Sequence, residues 1–244
     1  MDFKTGRIKK TLISINSILL IIIILFTPLA YYIFNPGYYA ALYEDNGVFS
    51  ILNKSDVRDI TEKIFEFFKY ESDLDPLDHT IQVRYSDESI STVAAFVPDE
   101  ISHLYDVRKL LVKIFILYCG SIILFVIMTF LLIEKNIKNF IRNLGIIFII
   151  SSAFMLLFII ILYFLGENFP VLFDNFHMLF FPQGNYAFLP GSLIITLFPS
   201  GFFNDFFIRL ILSSTIISVV LLVIGIIFTS IFKFVKKYGQ LIRY

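Results

Sequence analysis

Long apolar stretches dominate the pattern of hydrophobic and polar positions along this 244-residue chain. Four of them carry no charged residue, and Asn35-Pro36-Gly37 ends the first. An α-helix needs about 20 residues to cross the hydrocarbon layer of a bilayer. The pattern therefore predicts a mainly α integral membrane protein with four transmembrane helices. Their charge-free cores are Leu12–Phe34, Ile114–Ile133, Leu144–Gly166 and Leu210–Phe232.

Residues 35–108 form the only long polar segment, and their shorter patterns predict a small α+β domain. Apolar residues recur at helical spacing after Ser55 and Asp56, which predicts an N-capped amphipathic helix over Asp56–Tyr70. An acidic turn, Glu71–Asp78, follows this helix. The apolar side of the helix is predicted to contain Val57, Ile60, Ile64, Phe67 and Phe68.

Two strands and a second helix are predicted between the acidic turn and the second span. Ile81, Val83 and Tyr85 alternate with polar residues, as in a half-buried strand, and residues 91–97 form the second candidate strand. Pro98 then opens a helix with acidic residues in its first turn. No helix-breaking residue follows, so we expect this helix to continue into the second span.

Charged residues are distributed unequally about the four spans, which predicts their orientation. With a cytoplasmic N-terminus, the inner side holds eleven Lys and Arg and two acidic residues. The outer side, residues 35–109 and 167–209, holds eight Lys and Arg and eighteen Asp and Glu. This division follows the positive-inside rule, so both termini are predicted to be cytoplasmic. The first apolar run is too long for a cleavable signal peptide.

The segment between the third and fourth spans is unusually apolar for a water-side loop. It contains twelve aromatic residues between Phe169 and Phe207. Because loop backbone needs polar partners, we expect a re-entrant-like loop that lies against the bilayer or lines a lipid-sized cavity. The predicted segments are a cytoplasmic tail with the first span (1–34), an extracytoplasmic domain (35–108), the second span (109–133), a cytoplasmic loop (134–142), the third span (143–166), the extracytoplasmic aromatic loop (167–209), the fourth span (210–232) and a cytoplasmic tail (233–244).

Three histidines, all on the predicted outer side, are candidates for chemistry. His79 lies in the acidic turn, where a solvated role is expected. His103 lies one helical turn after Glu100 and one before Asp106, and a nearby carboxylate fixes the tautomer of an imidazole and raises its basicity. His177 lies in the aromatic segment. Each histidine alone is compatible with a structural role, whereas two near the membrane surface on different segments indicate an active site.

Other chemistries have weaker sequence support. No Gly-x-Ser-x-Gly elbow is present, and the single cysteine, Cys119, lies within the second span, where we expect it to pack. A zinc site built from Glu100, His103 and His177 is possible in composition but lacks the His-Glu-x-x-His spacing. No Gly-rich phosphate loop or basic water-exposed domain for nucleic acid is seen. The chemistry that remains is the direct transfer of a group with a histidine as general base.

Two segments together resemble a known family, the bacterial lipoprotein intramolecular transacylases (Lit). Asp99–Arg108, DEISHLYDVR, resembles the Glu-x-x-His-x-x-Asp-Val motif of that family, and Phe176–Phe181, FHMLFF, resembles its Phe-His-x-x-Phe-Phe motif. Leu197–Pro199 and Phe202–Asp205 resemble the Leu-Phe-Pro and Phe-Phe-x-Asp endings that follow. With the four-span layout, the resemblance covers essentially the whole chain.

The resemblance implies an acyltransferase without metal or soluble cofactor. Such an enzyme moves the sn-2 acyl chain of a diacylglyceryl-modified N-terminal cysteine onto the α-amino group of that cysteine, giving an N-acyl lyso-form lipoprotein. It implies a bacterial cytoplasmic membrane protein with an extracytoplasmic active site. The implied partners are the diacylglyceryl lipoprotein and membrane lipids, with no nucleic acid, and we expect a monomer.

The resemblance also implies roles for particular residues. We expect His177 to be the base and His103 its partner, as proton relay or oxyanion donor, although the two assignments can be exchanged. Tyr186 and Leu189 stand where the family pattern has a tryptophan and, commonly, an acidic residue. The supporting residues are expected to be Glu100, Asp106 and Arg108, and the lipid-binding ones Phe176, Phe180, Phe181 and Tyr186.

Two alternatives stay open from the residues alone. A non-enzymatic lipid-binding or accessory subunit would use the aromatic segment to dock onto a partner, with the histidines only completing hydrogen bonds. A metal-dependent membrane hydrolase would use them as ligands, and chelators would abolish its activity.

Overall fold

The chain is mainly helical. The structure, a computed structural model, describes residues 2–69, 80–84, 89–134, 136–189 and 191–239. In chain order its elements are α1 (Asp2–Tyr32), α2 (Pro36–Asp45), a 3-10 turn (Val48–Ser50), α3 (Lys54–Lys69), β1 (Thr80–Arg84), β2 (Ile90–Ala94), α4 (Pro98–Leu131), α5 (Ile137–Gly166), α6 (Phe169–Phe180), α7 (Leu193–Leu197) and α8 (Ser200–Gly239).

Four helical stretches are long and apolar enough to cross a membrane, as the hydrophobic pattern predicts. They are Gly6–Tyr32, Pro98–Leu131, Ile137–Gly166 and Ser200–Ser230. The helix predicted to open at Pro98 does so and runs without a break into the second stretch. The prediction of a helical membrane protein with four candidate spans is confirmed.

The segment between the third and fourth stretches is more helical than the sequence indicates. Its aromatic residues predict a loop, but α6 and α7 both lie within it. Pro170 stands in the first turn of α6, where proline is tolerated. Apolar residues predominate in this segment, so few polar positions mark a helical period in its sequence.

The amphipathic helix of the polar segment is present as α3, but its predicted cap is wrong. The side-chain oxygen of Asn53 accepts from the backbone N–H of Ser55 at 2.9 Å, so the helix begins earlier. Asp56 lies in the first turn, where its carboxylate accepts from the backbone N–H of Gln82 at 2.8 Å. The apolar side is as predicted, with Val57, Ile60, Ile64 and Phe67 buried and Phe68 half-buried.

Two antiparallel strands follow α3 in the chain. Thr80 of β1 lies opposite Ala94 of β2, and Arg84 lies opposite Ile90. The strands join α3 through the Asp56 carboxylate described above. The predicted acidic turn, His79, the residues from Tyr85 to Glu88 and Pro190 lie outside the described residues.

The chain forms two compact units. The first contains Met1–Leu29, Phe115–Phe164 and Leu210–Tyr244, and the second contains Ala30–Ile114 and Leu165–Arg209. The first unit therefore holds most of the apolar helical residues. The second holds the short helices, the two strands, and the segments that carry His103 and His177.

Polar side chains link helices inside the first unit. The hydroxyl of Thr129 donates to the side-chain oxygen of Asn16 at 3.1 Å, and the hydroxyl of Ser151 donates to the backbone carbonyl of Ser17 at 3.0 Å. Asn16 and Ser151 are fully buried. Within a bilayer such bonds hold helices together because lipid tails offer no alternative partner.

Two glycines bring α5 and α8 into close contact in the same unit. A Cβ added at Gly145 would lie 2.9 Å from the carbonyl oxygen of Gly225, and one added at Gly225 would lie 2.8 Å from that of Gly145. Real Cβ atoms do not approach backbone so closely. The helix crossing therefore requires glycine on both sides, as in small-residue contacts between membrane helices.

We predict that Gly145→Ala destabilises the protein by about 1–3 kcal/mol, because the added methyl group forces the two backbones apart. Gly120→Ala is the matched control, since an added Cβ there meets no atom within 4 Å. That control should match or slightly exceed wild type, given the higher helix propensity of alanine. Thermal unfolding in detergent, followed by circular dichroism, measures both. Equal melting temperatures for the two variants would contradict the close contact between α5 and α8 at Gly145.

An aromatic core fills the second unit. The ring of Tyr43 stacks on that of Phe202 with centroids 5.5 Å apart, and its hydroxyl hydrogen-bonds the hydroxyl of Thr61 at 3.0 Å. At one edge the amide of Asn46 donates to the carboxylate of Asp205 at 2.9 Å. These contacts fix the start of α8 against α2 and α3, and so anchor one end of the segment that carries His177.

Candidate active site

The structure brings His103 and His177 together. His103 on α4 and His177 on α6 have ring centroids 6.0 Å apart, with their ring planes inclined by 28°. Their side chains are only 7% and 8% exposed. Two imidazoles so close and so well shielded form a site in which either ring can hold or pass a proton.

The orientation of His177 is set by its own helix. Its Nδ1 lies 2.8 Å from the carbonyl oxygen of Phe173. A carbonyl only accepts, so Nδ1 carries the proton and Nε2 keeps a lone pair. Burial lowers the pKa of His177 below its usual range, a shift that the Phe173 carbonyl and the charge of Asp174 partly oppose. His177 is therefore a neutral imidazole at neutral pH, with Nε2 available as a base.

His103 is surrounded mainly by aromatic rings. The ring of Phe181 lies 4.8 Å from it and that of Phe188 lies 5.6 Å from it, centroid to centroid. Its Nδ1 is buried and has no hydrogen-bond partner of good geometry among the residues that the structure describes. A buried polar atom without a partner is costly, and this one would be satisfied by a group that enters the site.

Glu100 supports the site differently from what the sequence predicts. It is 1% exposed, and its two oxygens accept from the backbone N–H of Val97 at 2.9 Å and of Ile194 at 3.3 Å. The carboxylate thus caps the start of α4 and ties it to α7, whereas we expected it to orient an imidazole. Arg108, a further expected supporter, holds its guanidinium 5.1 Å over the ring of Phe67.

Asp106 binds two amide side chains that sequence reasoning missed. Its carboxylate accepts from the amides of Gln183 and Asn185, both at 2.8 Å, and from the ammonium of Lys109 at 2.9 Å. Burial and then His177 lower the pKa of His103 to about 4, whereas Asn185 and the charge of Asp106 partly oppose the shift. The signal in the sequence was a short polar run, Gln183 to Asn185, within an otherwise aromatic segment.

The four expected lipid-binding residues occupy different positions. Phe181 is 2% exposed and lies 4.8 Å from His103 and 5.6 Å from His177. The ring of Tyr186 lies 5.0 Å from that of His177. Phe176 and Phe180 are 43% and 45% exposed. Phe181 and Tyr186 therefore form the wall of the site, whereas Phe176 and Phe180 present apolar surface outward.

No three side chains of His, Cys, Asp or Glu converge as metal ligands within the described part of the chain. Glu100, the carboxylate of the conceivable zinc set, is engaged by backbone amides. Cys119 is an exposed thiol on α4.

Four candidate spans and a buried pair of imidazoles together define a multi-pass membrane protein with two shielded histidines in contact. Residues 14–203 match the family model for the lipoprotein intramolecular transacylase Lit. This match covers most of the chain, which therefore belongs to the Lit family of acyltransferases.

Solved structures agree with the family. The in meso structure of the membrane integral lipoprotein intramolecular transacylase Lit from Bacillus cereus superimposes with a TM-score of 0.66 at 18% identity, over 97% of this chain and 99% of that one. Two structures of the same Bacillus cereus enzyme, with a histidine replaced by arginine or alanine, each give a TM-score of 0.64 at 17% identity. Both superpositions cover 98% of this chain. They cover 96% of the solved chain with arginine and 98% of the one with alanine. At such identity the likeness establishes a shared fold. No curated protein sequence matches the chain.

The lowered pKa of His177 predicts a pH dependence of stability. Below pH ~6.5 the unfolded chain takes up a proton at this residue that the folded chain does not. The free energy of unfolding therefore falls as the pH drops from ~6.5 to the folded pKa. His177→Gln should remove this contribution, so its melting temperature should fall less than that of wild type between about pH 7.5 and 5.5.

His79→Gln is the control for this experiment, since the sequence predicts a solvated role for this histidine. Its pH slope should equal that of wild type. The expectation fails if His177→Gln and wild type lose stability equally on acidification.

Proposed function

We propose that this chain transfers the sn-2 acyl chain of a diacylglyceryl lipoprotein onto the α-amino group of that lipoprotein's own N-terminal cysteine. The observation that carries the proposal is the facing pair of buried imidazoles, His103 and His177, in a chain of the Lit family. The product is an N-acyl lipoprotein with a free sn-2 hydroxyl group.

The reaction needs one proton removed and one delivered, and two histidines match that need. The amine nitrogen attacks the ester carbonyl, and Nε2 of His177 accepts the proton that the nitrogen loses. The C–O bond to the glyceryl oxygen then breaks, and that oxygen takes a proton to become a hydroxyl. His103 acts as the partner, by relaying the proton or by donating to the oxyanion. The two histidines can exchange these roles.

Proximity supplies much of the remaining rate. The amine and the ester belong to one substrate molecule, so no second substrate has to be captured and no acyl-enzyme intermediate is required. The protein has to hold the glyceryl group and two acyl chains in a reactive arrangement away from water. Phe181 and Tyr186 would contact the reacting part, and the outward rings of Phe176 and Phe180 would contact the acyl chains.

We place the histidine pair on the extracytoplasmic face of the bacterial cytoplasmic membrane, with both termini inside. The segment bounds predicted above describe this arrangement: 35–108 is an outer α+β domain, and 167–209 dips toward the bilayer as a re-entrant-like segment. The excess of Lys and Arg in residues 1–34, 134–142 and 233–244 supports this orientation. An outer site would meet lipoproteins after they have crossed the membrane.

Replacing either histidine tests the chemistry. We expect His177→Ala and His103→Ala to insert normally but to lower formation of lyso-form lipoprotein by about 100-fold or more, because general acid–base catalysis contributes about 10²–10⁴-fold. Mass spectrometry of the N-terminal peptide of a reporter lipoprotein in expressing cells gives the product ratio. His79→Ala should behave as wild type. Undiminished lyso product with both single variants would refute the role of the pair.

Cysteine labelling tests the orientation separately. In a Cys119→Ser background, Asp59→Cys and Lys138→Cys place single thiols at exposed positions of the two opposite predicted sides. We expect a membrane-impermeant maleimide to label the cysteine at position 59 in spheroplasts, and the one at position 138 only after the membrane is opened. The reverse pattern would invert the proposed topology.

A further inference from the structure

Residues 185–188 lie against the histidine pair and shield it. The ring of Phe188 lies 5.6 Å from that of His103, and the ring of Tyr186 lies 5.0 Å from that of His177, centroid to centroid. The two histidines are 7% and 8% exposed, and Nδ1 of His103 is fully buried. A substrate that carries two acyl chains and a peptide cannot bring its ester and amine against rings covered in this way. Part of the cover therefore has to move.

Both ends of this segment are fixed by backbone hydrogen bonds. Before it, the N–H of Phe181 donates to the carbonyl of His177 at 2.7 Å, and the N–H of Gly184 donates to the carbonyl of Phe181 at 3.0 Å. These bonds join the turn of residues 181–184 to the end of α6. After the segment, the carbonyl of Leu189 accepts from the N–H of Ser192 at 3.0 Å. The part of the cover that is free to move therefore lies between Gly184 and Leu189.

Two glycines flank this part in a conformation that suits hinges. Gly184 has φ +79° and Gly191 has φ +89°, left-handed values that glycine adopts without strain. A Cβ added at either position would meet no atom of the described residues within 4 Å. Glycine is thus favoured there by the backbone conformation and not by lack of space. Hinges are a few loop positions that absorb changes in backbone angles, and they are often small residues.

One carboxylate on α4 holds the segment in place. Oδ2 of Asp106 accepts from the side-chain amide of Asn185 at 2.8 Å, and from that of Gln183, in the fixed turn, at the same distance. Oδ1 accepts from the ammonium of Lys109 at 2.9 Å. The two oxygens therefore have different partners, since Oδ2 binds the segment and its preceding turn, and Oδ1 binds a lysine of the same helix. Asp106 is half-buried, so water can replace Asn185 when the segment moves.

We propose that residues 185–188 are a lid that Asp106 latches over the histidine pair, and that the lid opens to admit the diacylglyceryl end of the substrate. Breaking the bond between Asn185 and Oδ2 releases the segment, and rotation about the two glycines carries Tyr186 and Phe188 off the imidazoles. Closure over the bound substrate then excludes water from the reacting groups. The lid is a property of the resting protein, whereas its role in admitting substrate rests on the proposed function.

The first test measures how fast the histidines react with diethyl pyrocarbonate, which modifies neutral imidazole, in the full-length protein in detergent at neutral pH. A His79→Gln background leaves only the two histidines of the pair, and peptide mass spectrometry reads each one. We expect Asn185→Ala to raise both modification rates by about 10-fold or more, because it removes the hydrogen bond to a charged group that keeps the lid closed. Labelling well below the melting temperature of each variant excludes a contribution from global unfolding.

Lys109→Gln is the matched control, because it removes the partner of Oδ1 and leaves Oδ2 to hold the lid. Both rates should change by less than about twofold, since an exposed ion pair contributes little. Asp106→Ala removes the latch from the other side and should match Asn185→Ala, and it takes the place of that variant should Asn185→Ala fail to fold. Rates no higher in these two variants than in Lys109→Gln would overturn the lid.

A reversible tether tests whether the lid has to open for the reaction. In a Cys119→Ser background, Asp106→Cys and Asn185→Cys place one thiol on each side of the latch, and a short bis-methanethiosulfonate reagent joins them. We expect the tethered protein to convert a diacylglyceryl lipopeptide at least about 10-fold more slowly than the same protein after reduction. Each single-cysteine protein, treated in the same way, should respond to reduction much less. Equal activity before and after reduction of the tethered protein would overturn the role of the lid in admitting substrate.

The two proposals fail in different ways. Wild-type protein that does not convert the lipopeptide would refute the proposed function, and faster labelling of Asn185→Ala would still support the lid. Active protein whose labelling rates are unaffected by Asn185→Ala and Asp106→Ala would refute only the lid.

Discussion

In a chain with so little contact with water, each buried polar group must find its partner within the protein. The hydroxyl of Thr129 donates a hydrogen bond to the side-chain oxygen of Asn16, and the carboxylate of Glu100 accepts from two backbone amides. Nδ1 of His177 donates a hydrogen bond to the carbonyl of Phe173. Nδ1 of His103 is an informative exception, because it is buried in a ring close to that of His177 and has no such partner among the described residues.

The same constraint explains how the pair suits acid–base chemistry. Aromatic rings exclude water from both imidazoles, and this disfavours the charged form of His177. A histidine that is neutral at physiological pH is ready to accept a proton. The hydrogen bond that Nδ1 of His177 donates to the carbonyl of Phe173 then leaves Nε2 of that ring available. Reactivity and orientation thus have separate physical causes, burial for the first and local hydrogen bonding for the second.

Much of the fold is readable from periodicity because the signals are long. Charge-free, mainly apolar runs of 20 residues or more indicate membrane-spanning helices, and the four candidate spans follow from them. The apolar side of α3 is equally clear, since residues such as Val57, Ile60 and Ile64 recur at helical spacing. The ends of helices, and helices in mainly apolar segments, are harder to predict from the sequence. The side chain of Asn53 binds the start of α3 in place of the predicted cap, and the mainly apolar segment from Phe169 has too few polar positions to indicate α6.

By itself, the sequence determined the class of the protein, the number of candidate spans, the family resemblance and the identity of both histidines of the pair. Each of these depends on residue type and on spacing along the chain. Only the tertiary structure decided that Glu100 binds the backbone amide of Ile194 and that Asp106 binds the side chain of Asn185. Those contacts join residues about 80 to 95 positions apart in the chain. A helix places its own neighbours at three or four residues, but nothing local specifies which distant amide a buried carboxylate will meet.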